Sequence, residues 1–296
     1  MAEAKRNIRW ALSIGIWNDL PLAPFTEKLD AIRDAGFNGF RMTSYPAFLK
    51  QHNLTPSLME RELSKRDLNL ATLSFGGPAD DPAQHSAILA RAKEACQFLK
   101  IFGATELVVF SPSRVNKVLV REHLRRACEF YNRLGDVCAE YGIRAGLHNH
   151  SQGQLIETQD EVESMLRQTD PKRFHWSPDT VHLYIGGANI LQLFEKYADR
   201  LIFMDYIDGR YTAATEDLKL LSGEVVKKED HGATFRLTNQ DLGDGEIDFR
   251  DLHRILKRRN YRGWICVDNH HIRVSARHNF GRCMKYIRET LEPIYS

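Results

Sequence analysis

Short, mostly apolar runs alternate with longer amphipathic ones from one end of the chain to the other. The runs at 10–16, 39–43, 70–74, 106–110, 144–149, 174–179, 201–206 and 264–268 have the length and apolar content of strands buried on both faces. Between them lie helix-like segments. In 25–35, for example, Phe25, Leu29, Ile32 and Ala35 fall close to i, i+4, i+7 and i+10, while Glu27, Lys28, Asp30 and Arg33 point elsewhere. Gly36, Gly103 and Gly142 follow three such segments and supply the left-handed position at which a helix stops, so each helix returns quickly to a strand. Eight strand–helix units with short returns predict an α/β fold, a single (β/α)8 barrel of parallel strands, with an open doubly wound sheet as the fallback. No G-x-G-x-x-G or G-x-x-x-x-G-K-[ST] opens a helix, which removes the usual reason to prefer the open sheet. No Pro/Gly/Ser-rich linker divides the chain, so residues 1–296 read as one domain. The long polar stretch at about 210–245 breaks the rhythm and reads as an active-site loop or as a solvated excursion.

Composition narrows the class. The 296 residues are 43% hydrophobic and 27% charged, the make-up of a soluble globular protein. With 41 Lys+Arg against 39 Asp+Glu, both signs interspersed, the electrostatic footprint of a nucleic-acid binder is missing. The N-terminus is polar and no stretch of 18 apolar residues occurs, so a cytoplasmic protein with no membrane partner is expected. The five cysteines are scattered and form no C-x-x-C pair, which argues for reduced thiols over a disulfide framework or a zinc knuckle.

In a barrel of this kind the C-terminal ends of the strands converge on the active site, and here those ends are polar. The fifth predicted strand ends in His148-Asn149-His150, the sixth in Pro178-Asp179-Thr180-Val181-His182, the seventh in Asp205-Tyr206-Ile207-Asp208 and the eighth in Asp268-Asn269-His270-His271. Any one such residue reads as a cap or a satisfied rim group. Four consecutive strands each delivering a carboxylate or imidazole after an apolar run would be costly unless the charges are paired or metal-bound. One divalent cation accounts for the pattern: Mn2+ first, with Mg2+, Zn2+, Co2+ or Fe2+ also compatible with an oxygen-rich set containing imidazole.

Pro178-Asp-Thr-Val-His-Leu-Tyr-Ile-Gly-Gly187, Tyr197-Ala-Asp-Arg-Leu-Ile202, Leu242-Gly-Asp-Gly-Glu-Ile-Asp-Phe249 and Tyr261-Arg-Gly-Trp-Ile-Cys-Val267 resemble the sugar phosphate isomerase/epimerase family, the xylose isomerase-like barrels. The likeness is strongest from about His148 to Asp268. The segment from His148 to Glu157-Thr158 is especially similar to the inosose dehydratase branch. The resemblance implies that Asp179 is a metal ligand, with His182 near substrate. It places His148 where many members have a metal-binding Glu, Asp205 where they have His, and Asp268 where they have Glu. It also puts Ile207 where the family has a Lys, and Arg41 where many isomerases present a Glu. Arg41 would clamp a substrate oxygen or carboxylate, or pair with an acidic neighbour; Asn149 and Glu157 are the other expected substrate-binding residues.

The implied function is a metal-dependent lyase/dehydratase or epimerase/isomerase acting on a keto-sugar or keto-cyclitol through an enediolate, with His182, His150 and His270 as candidate bases. The expected partner is a small carbohydrate, and association into homo-oligomers is compatible with the apolar residues Tyr286, Ile287, Leu291, Ile294 and Tyr295 near the C-terminus. Two other readings compete. One is a non-catalytic sugar-binding or scaffold barrel, in which the departures at Asp205, Asp268 and Ile207 record lost activity. The other is an endonuclease IV-like repair enzyme, disfavoured by the near-neutral charge and by strand ends at Arg41-Met-Thr-Ser and Ser74-Phe-Gly-Gly that supply no further ligands.

Overall fold

The computed structural model describes residues 8–19, 23–114, 121–151, 153–210, 217–219, 225–227, 238–270 and 274–295. Eight strands form its centre: Ile8–Ser13 (β1), Gly39–Met42 (β2), Asn69–Phe75 (β3), Glu106–Phe110 (β4), Arg144–His148 (β5), Phe174–Trp176 (β6), Phe203–Tyr206 (β7) and Gly263–Val267 (β8). They lie parallel in the order β6-β5-β4-β3-β2-β1-β8-β7. Single parallel bridges, Trp176 to Leu201 and Asp179 to Asp205, join β6 to β7 and close the ring. This is the expected (β/α)8 barrel, with helices such as Phe25–Ala35, His85–Ile101 and Arg121–Ala139 packed outside it.

The strands shift slightly from their apolar runs. β6 ends at Trp176, three residues before its run does, because Pro178 has no N–H to give the ladder. Its continuation still follows the barrel wall, with Ser177 N donating to Leu147 O at 2.7 Å and Asp205 N to Pro178 O at 2.8 Å. The run at 10–16 leaves the sheet after Ser13 and turns into a tight helical segment, Ile14–Asp19.

The helix Phe25–Ala35 stops at Gly36, whose φ of 95° is left-handed. Its Lys28, expected on the outer face, is instead buried. The ammonium lies 3.2 Å from His52 Nε2 and 5.4 Å from the Phe48 ring centre, and burial lowers its pKa to about 8. Near the C-terminus, Ile287 and Leu291 are buried in the main core and Tyr286 and Tyr295 pack against it, so those apolar residues serve the barrel itself. All five cysteines are buried and free. Among the described residues no helix is long and apolar enough to cross a membrane.

Much of the stretch at 210–245 lies outside the described residues. Within it, Leu218–Lys219 pairs with Val225–Val226, and Asn239–Gln240 pairs with Asp208–Gly209 just past β7. The buried Asp208 carboxylate then accepts from the backbone N–H groups of Gly209, Gly243, Gly245 and Ile247 at 2.9–3.2 Å, which fixes the return toward β8.

Candidate metal centre

At the C-terminal mouth the barrel brings together His148 from the end of β5, Asp179 after β6, Asp205 within β7, Asp268 after β8 and Arg41 within β2. All five are buried. Ligand-competent atoms of His148, His150 and Asp179 lie within 4.8 Å of one another, as do those of Asp179, Asp205 and Asp268.

Each side chain is held by a local device. Asp179 precedes the short helix Thr180–Ile185, and its Oδ1 accepts from His182 N at 3.1 Å as the N-cap. That leaves Oδ2 turned to His148 Nε2, 3.7 Å away. The Asn149 amide spends both ends on the Asp179 backbone at 3.3 Å, tying the β5 end to the β6 end. Arg41 reaches across the mouth from β2. Its Nη1 lies 2.7 Å from Asp205 Oδ2, and its Nη2 contacts Asp268 Oδ2 and Ser13 Oγ. Glu157 sits in the loop after β5, accepting from Gly153 N at 3.0 Å and facing Arg114 at 3.7 Å.

Backbone groups set the histidine tautomers. His148 Nδ1 lies 2.9 Å from Ser177 O, and a carbonyl can only accept, so the proton is on Nδ1 and the Nε2 lone pair faces Asp179 and Asp205. His182 is the reverse case. Ser151 N donates to its Nδ1 at 3.0 Å, so a neutral ring carries its proton on Nε2. Ser151 Oγ lies 2.7 Å from the same nitrogen. The His182 ring stacks on His150 with centroids 3.9 Å apart. His270 Nε2 lies 3.2 Å from Asp268 Oδ2 at the mouth, where His270 is 30% exposed.

Burial and charge pull these groups in opposite directions. Burial holds His148 and His182 well below the ordinary imidazole range, so both are neutral. His150 is lowered to about 3, again chiefly by burial. Asp179 is raised well above the carboxylate range by burial and by the Asp205 and Asp268 charges, and Asp205 is raised to about 7 by burial. Burial acts on Asp268 in the same sense, but the His270 and Arg41 charges outweigh it and hold this carboxyl low.

These features fit a divalent cation. The buried atoms His148 Nε2 and Asp179 Oδ2 accept no hydrogen bond and lie at a separation suited to sharing an ion. Three carboxyl groups meet one guanidinium, and beyond burial the upward push on Asp179 and Asp205 shows that their negative charges oppose one another there, an opposition a dication would relieve.

The sequence pointed to every strand-end acid and imidazole here but missed Ser151, Ser13 and the Ser177 carbonyl. Ser151 adjoins the His148-Asn149-His150 run and Ser13 ends β1, so small polar residues at strand ends were the available signal.

A parallel eight-stranded barrel with its polar cluster at the C-terminal mouth defines a class of enzyme-bearing folds. Residues 29–290 match the model of the xylose isomerase-like TIM barrel, and the chain belongs to that family. It is similar to an inosose dehydratase of Bacillus licheniformis, 29% identical with 89% of each chain covered, and to one of Lactiplantibacillus plantarum, 24% identical with 90% of each covered. Among solved structures, the IolI protein with a bound zinc atom superposes with a TM-score of 0.76 at 14% identity, covering 97% of this chain and 99% of that one. The probable 3-DHS dehydratase AsbF of Bacillus anthracis gives 0.75 at 13% identity, covering 95% and 98%.

Proposed function

We propose that this chain is a divalent-metal-dependent lyase of the dehydratase type acting on a keto-cyclitol or keto-sugar. The observation that carries the reading is the paired fixing of His148 and His182, one presenting a lone pair to buried carboxylates and the other an N–H. The likeness to inosose dehydratases over about nine-tenths of the chain supplies the substrate class. Asp179, Asp205 and Asp268, with His148 beside Asp179, would hold the cation, which when bound would polarise a substrate carbonyl and acidify the neighbouring C–H.

The remaining groups divide the proton chemistry. His270, at the half-open mouth with its Nε2 3.2 Å from Asp268 Oδ2, is the acceptor for the α-proton. His182, neutral and protonated on Nε2, donates a hydrogen bond to an oxygen on which negative charge gathers and is not the base. His150 stacks on His182 and fixes the plane of that ring. Loss of the β-hydroxyl as water completes a dehydration; return of the proton to the opposite face is the epimerase alternative.

The test is exchange of the substrate α-proton in deuterated water, with 2-keto-myo-inositol as the probe. His270→Gln should lower exchange by about 10²–10⁴-fold. His182→Gln should slow water loss while exchange continues. Exchange undiminished in His270→Gln would move the base to His150, and absence of both exchange and elimination with a panel of keto-cyclitols and keto-sugars would favour a non-catalytic barrel.

A further inference from the structure

The acids and imidazoles of the metal centre come from the ends of β5 to β8, but the loops after β3 and β4 enclose a second cavity, of about 650 Å3, on the same face of the barrel. Its walls are the segment 77–82 after β3, Ser111 to Ser113 after β4, and His123 and Arg126 of the helix Arg121–Ala139. Ser111 directly follows Phe110, whose ring centre lies 4.6 Å from that of His148 and 4.7 Å from that of His150, so the cavity adjoins the mouth. A space of this size takes a small organic molecule. Pro78, Pro82 and Pro112 stiffen its walls, which reduces the freedom lost when a ligand enters.

The charged groups along these walls are unequally committed. Buried Asp80 turns Oδ2 to His123 Nδ1 at 2.6 Å, and Asp81 Oδ1 accepts from Ala83 N at 3.0 Å, so both carboxylates have a donor within the wall itself. The Arg126 guanidinium does not: its Nε is buried with no hydrogen-bond partner among the described residues. A cationic N–H left in that condition is costly, and the partner whose geometry a guanidinium matches best is a carboxylate or phosphate. Other donors stand around it. Asp80 occupies the Nδ1 side of the His123 ring and leaves Nε2 for a ligand. The buried Ser111 hydroxyl makes only a long contact, 3.4 Å, to Gln154 Oε1. Arg91 adds a second positive charge behind Gly77, its Nη2 donating to Gly76 O at 3.0 Å.

We propose that this cavity is an oxyanion subsite: the carboxylate or phosphate group of a small organic acid docks on the Arg126 guanidinium, with His123 and Ser111 completing its hydrogen bonds. Two sources present that chemistry. One is the far end of a substrate whose keto carbon lies at the metal centre, which would make the chain's preferred substrate an acidic keto-sugar or keto-cyclitol in place of a neutral one. The other is a separate small anion bound beside the substrate. The first source rests on the dehydratase reading above; the subsite itself does not.

The test titrates inorganic phosphate into chelator-treated protein by calorimetry, so that no metal ion competes for it. The parent should bind phosphate saturably at one site, and Arg126→Met should weaken that binding by about tenfold or more. Arg126→Gln gives the same reading should the Met variant fail to fold. No saturable binding in the parent, or an affinity undiminished in these variants, would overturn the proposal. Fructose and fructose 6-phosphate then separate the sources. If the oxyanion belongs to the substrate, fructose 6-phosphate binds the Mn2+-loaded parent more tightly than fructose and loses that advantage in Arg126→Met. If it is a separate anion, the two sugars bind alike and phosphate keeps its affinity beside saturating 2-keto-myo-inositol. A protein that binds phosphate through Arg126 yet neither exchanges nor dehydrates any keto-cyclitol or keto-sugar would sink the dehydratase reading and leave the subsite standing.

Discussion

Two histidines at one mouth carry their protons on opposite nitrogens because different backbone groups claim their Nδ1 atoms, a carbonyl at Ser177 and an amide at Ser151. Neither role is written in the residue type. Another histidine shows the same dependence on surroundings in the core: His253 stacks on Trp10 with centroids 5.6 Å apart, meets the Tyr206 hydroxyl at 3.1 Å, and is lowered by burial to about 3. The folded ring stays neutral while the unfolded one takes a proton below its ordinary value of 6.5. Its contribution to stability is therefore present above pH 6.5 and is lost as pH falls toward 3, at up to about 1.4 kcal/mol per pH unit. His253→Phe should shrink the drop in urea-unfolding free energy between pH 7 and pH 5 by about 2 kcal/mol; an unchanged drop would place the acid sensitivity elsewhere. At this scale the sequence was legible where a polar residue follows an apolar run, as at Asp179, Asp205 and Asp268. It was silent on partners brought together by closure, since Arg41 and Asp268 are 227 positions apart.

Among the elements, the short segment 243–247 illustrates how a motif becomes geometry. Leu242-Gly-Asp-Gly-Glu-Ile was visible as part of a family pattern, and the structure gives the reason for its second glycine. A Cβ on Gly245 would stand 2.1 Å from Asp208 Oδ1 and 2.6 Å from Gly209 N, so only a bare backbone lets Asp208 gather its four amides. Asp208→Ala would leave those N–H groups without their acceptor and should cost about 3 kcal/mol, read as a lowered midpoint in thermal unfolding. Gly245→Ala should lower it too, through the clash instead of the lost bonds. A midpoint within 1 °C of the parent in both variants would show that the segment is not part of the cooperative fold. Helix ends were readable for a similar reason, since Gly36 adopts the left-handed backbone its position demands. Strand ends at β6 and β7 were not, because hydrophobicity continues past the last ladder bond at Pro178 and begins before the first at Leu201 and Ile202.

For the whole molecule, eight alternations of apolar run and helix were enough to read a closed barrel. What no periodicity discloses is where the ring is weakest. Seven of the eight neighbouring strand pairs are joined by a strand ladder, that of β2 and β3 shifting register between Phe40 and Arg41, whereas β6 and β7 meet through the single bridges at Trp176–Leu201 and Asp179–Asp205. Arg200 braces the opposite rim, donating to Leu166 O, Phe174 O and Thr169 Oγ1 at 2.7–2.8 Å. One stave of the barrel is thus joined to the next by two rungs, and the upper rung consists of two residues that would share the cation. An ion gripped by Asp179 and Asp205 would then act as a clasp as well as a reagent, converting the loosest seam into a cross-link. Amide hydrogen exchange should detect it. The Asp205 N–H, bonded to Pro178 O, should exchange sooner than amides of β1 and β8 in metal-free protein, and Mn2+ should slow it by about tenfold or more while leaving β1 and β8 unaffected. If so, cells short of the metal would hold a barrel that breathes along one edge, and loading would be felt as mechanical closure before any substrate arrived.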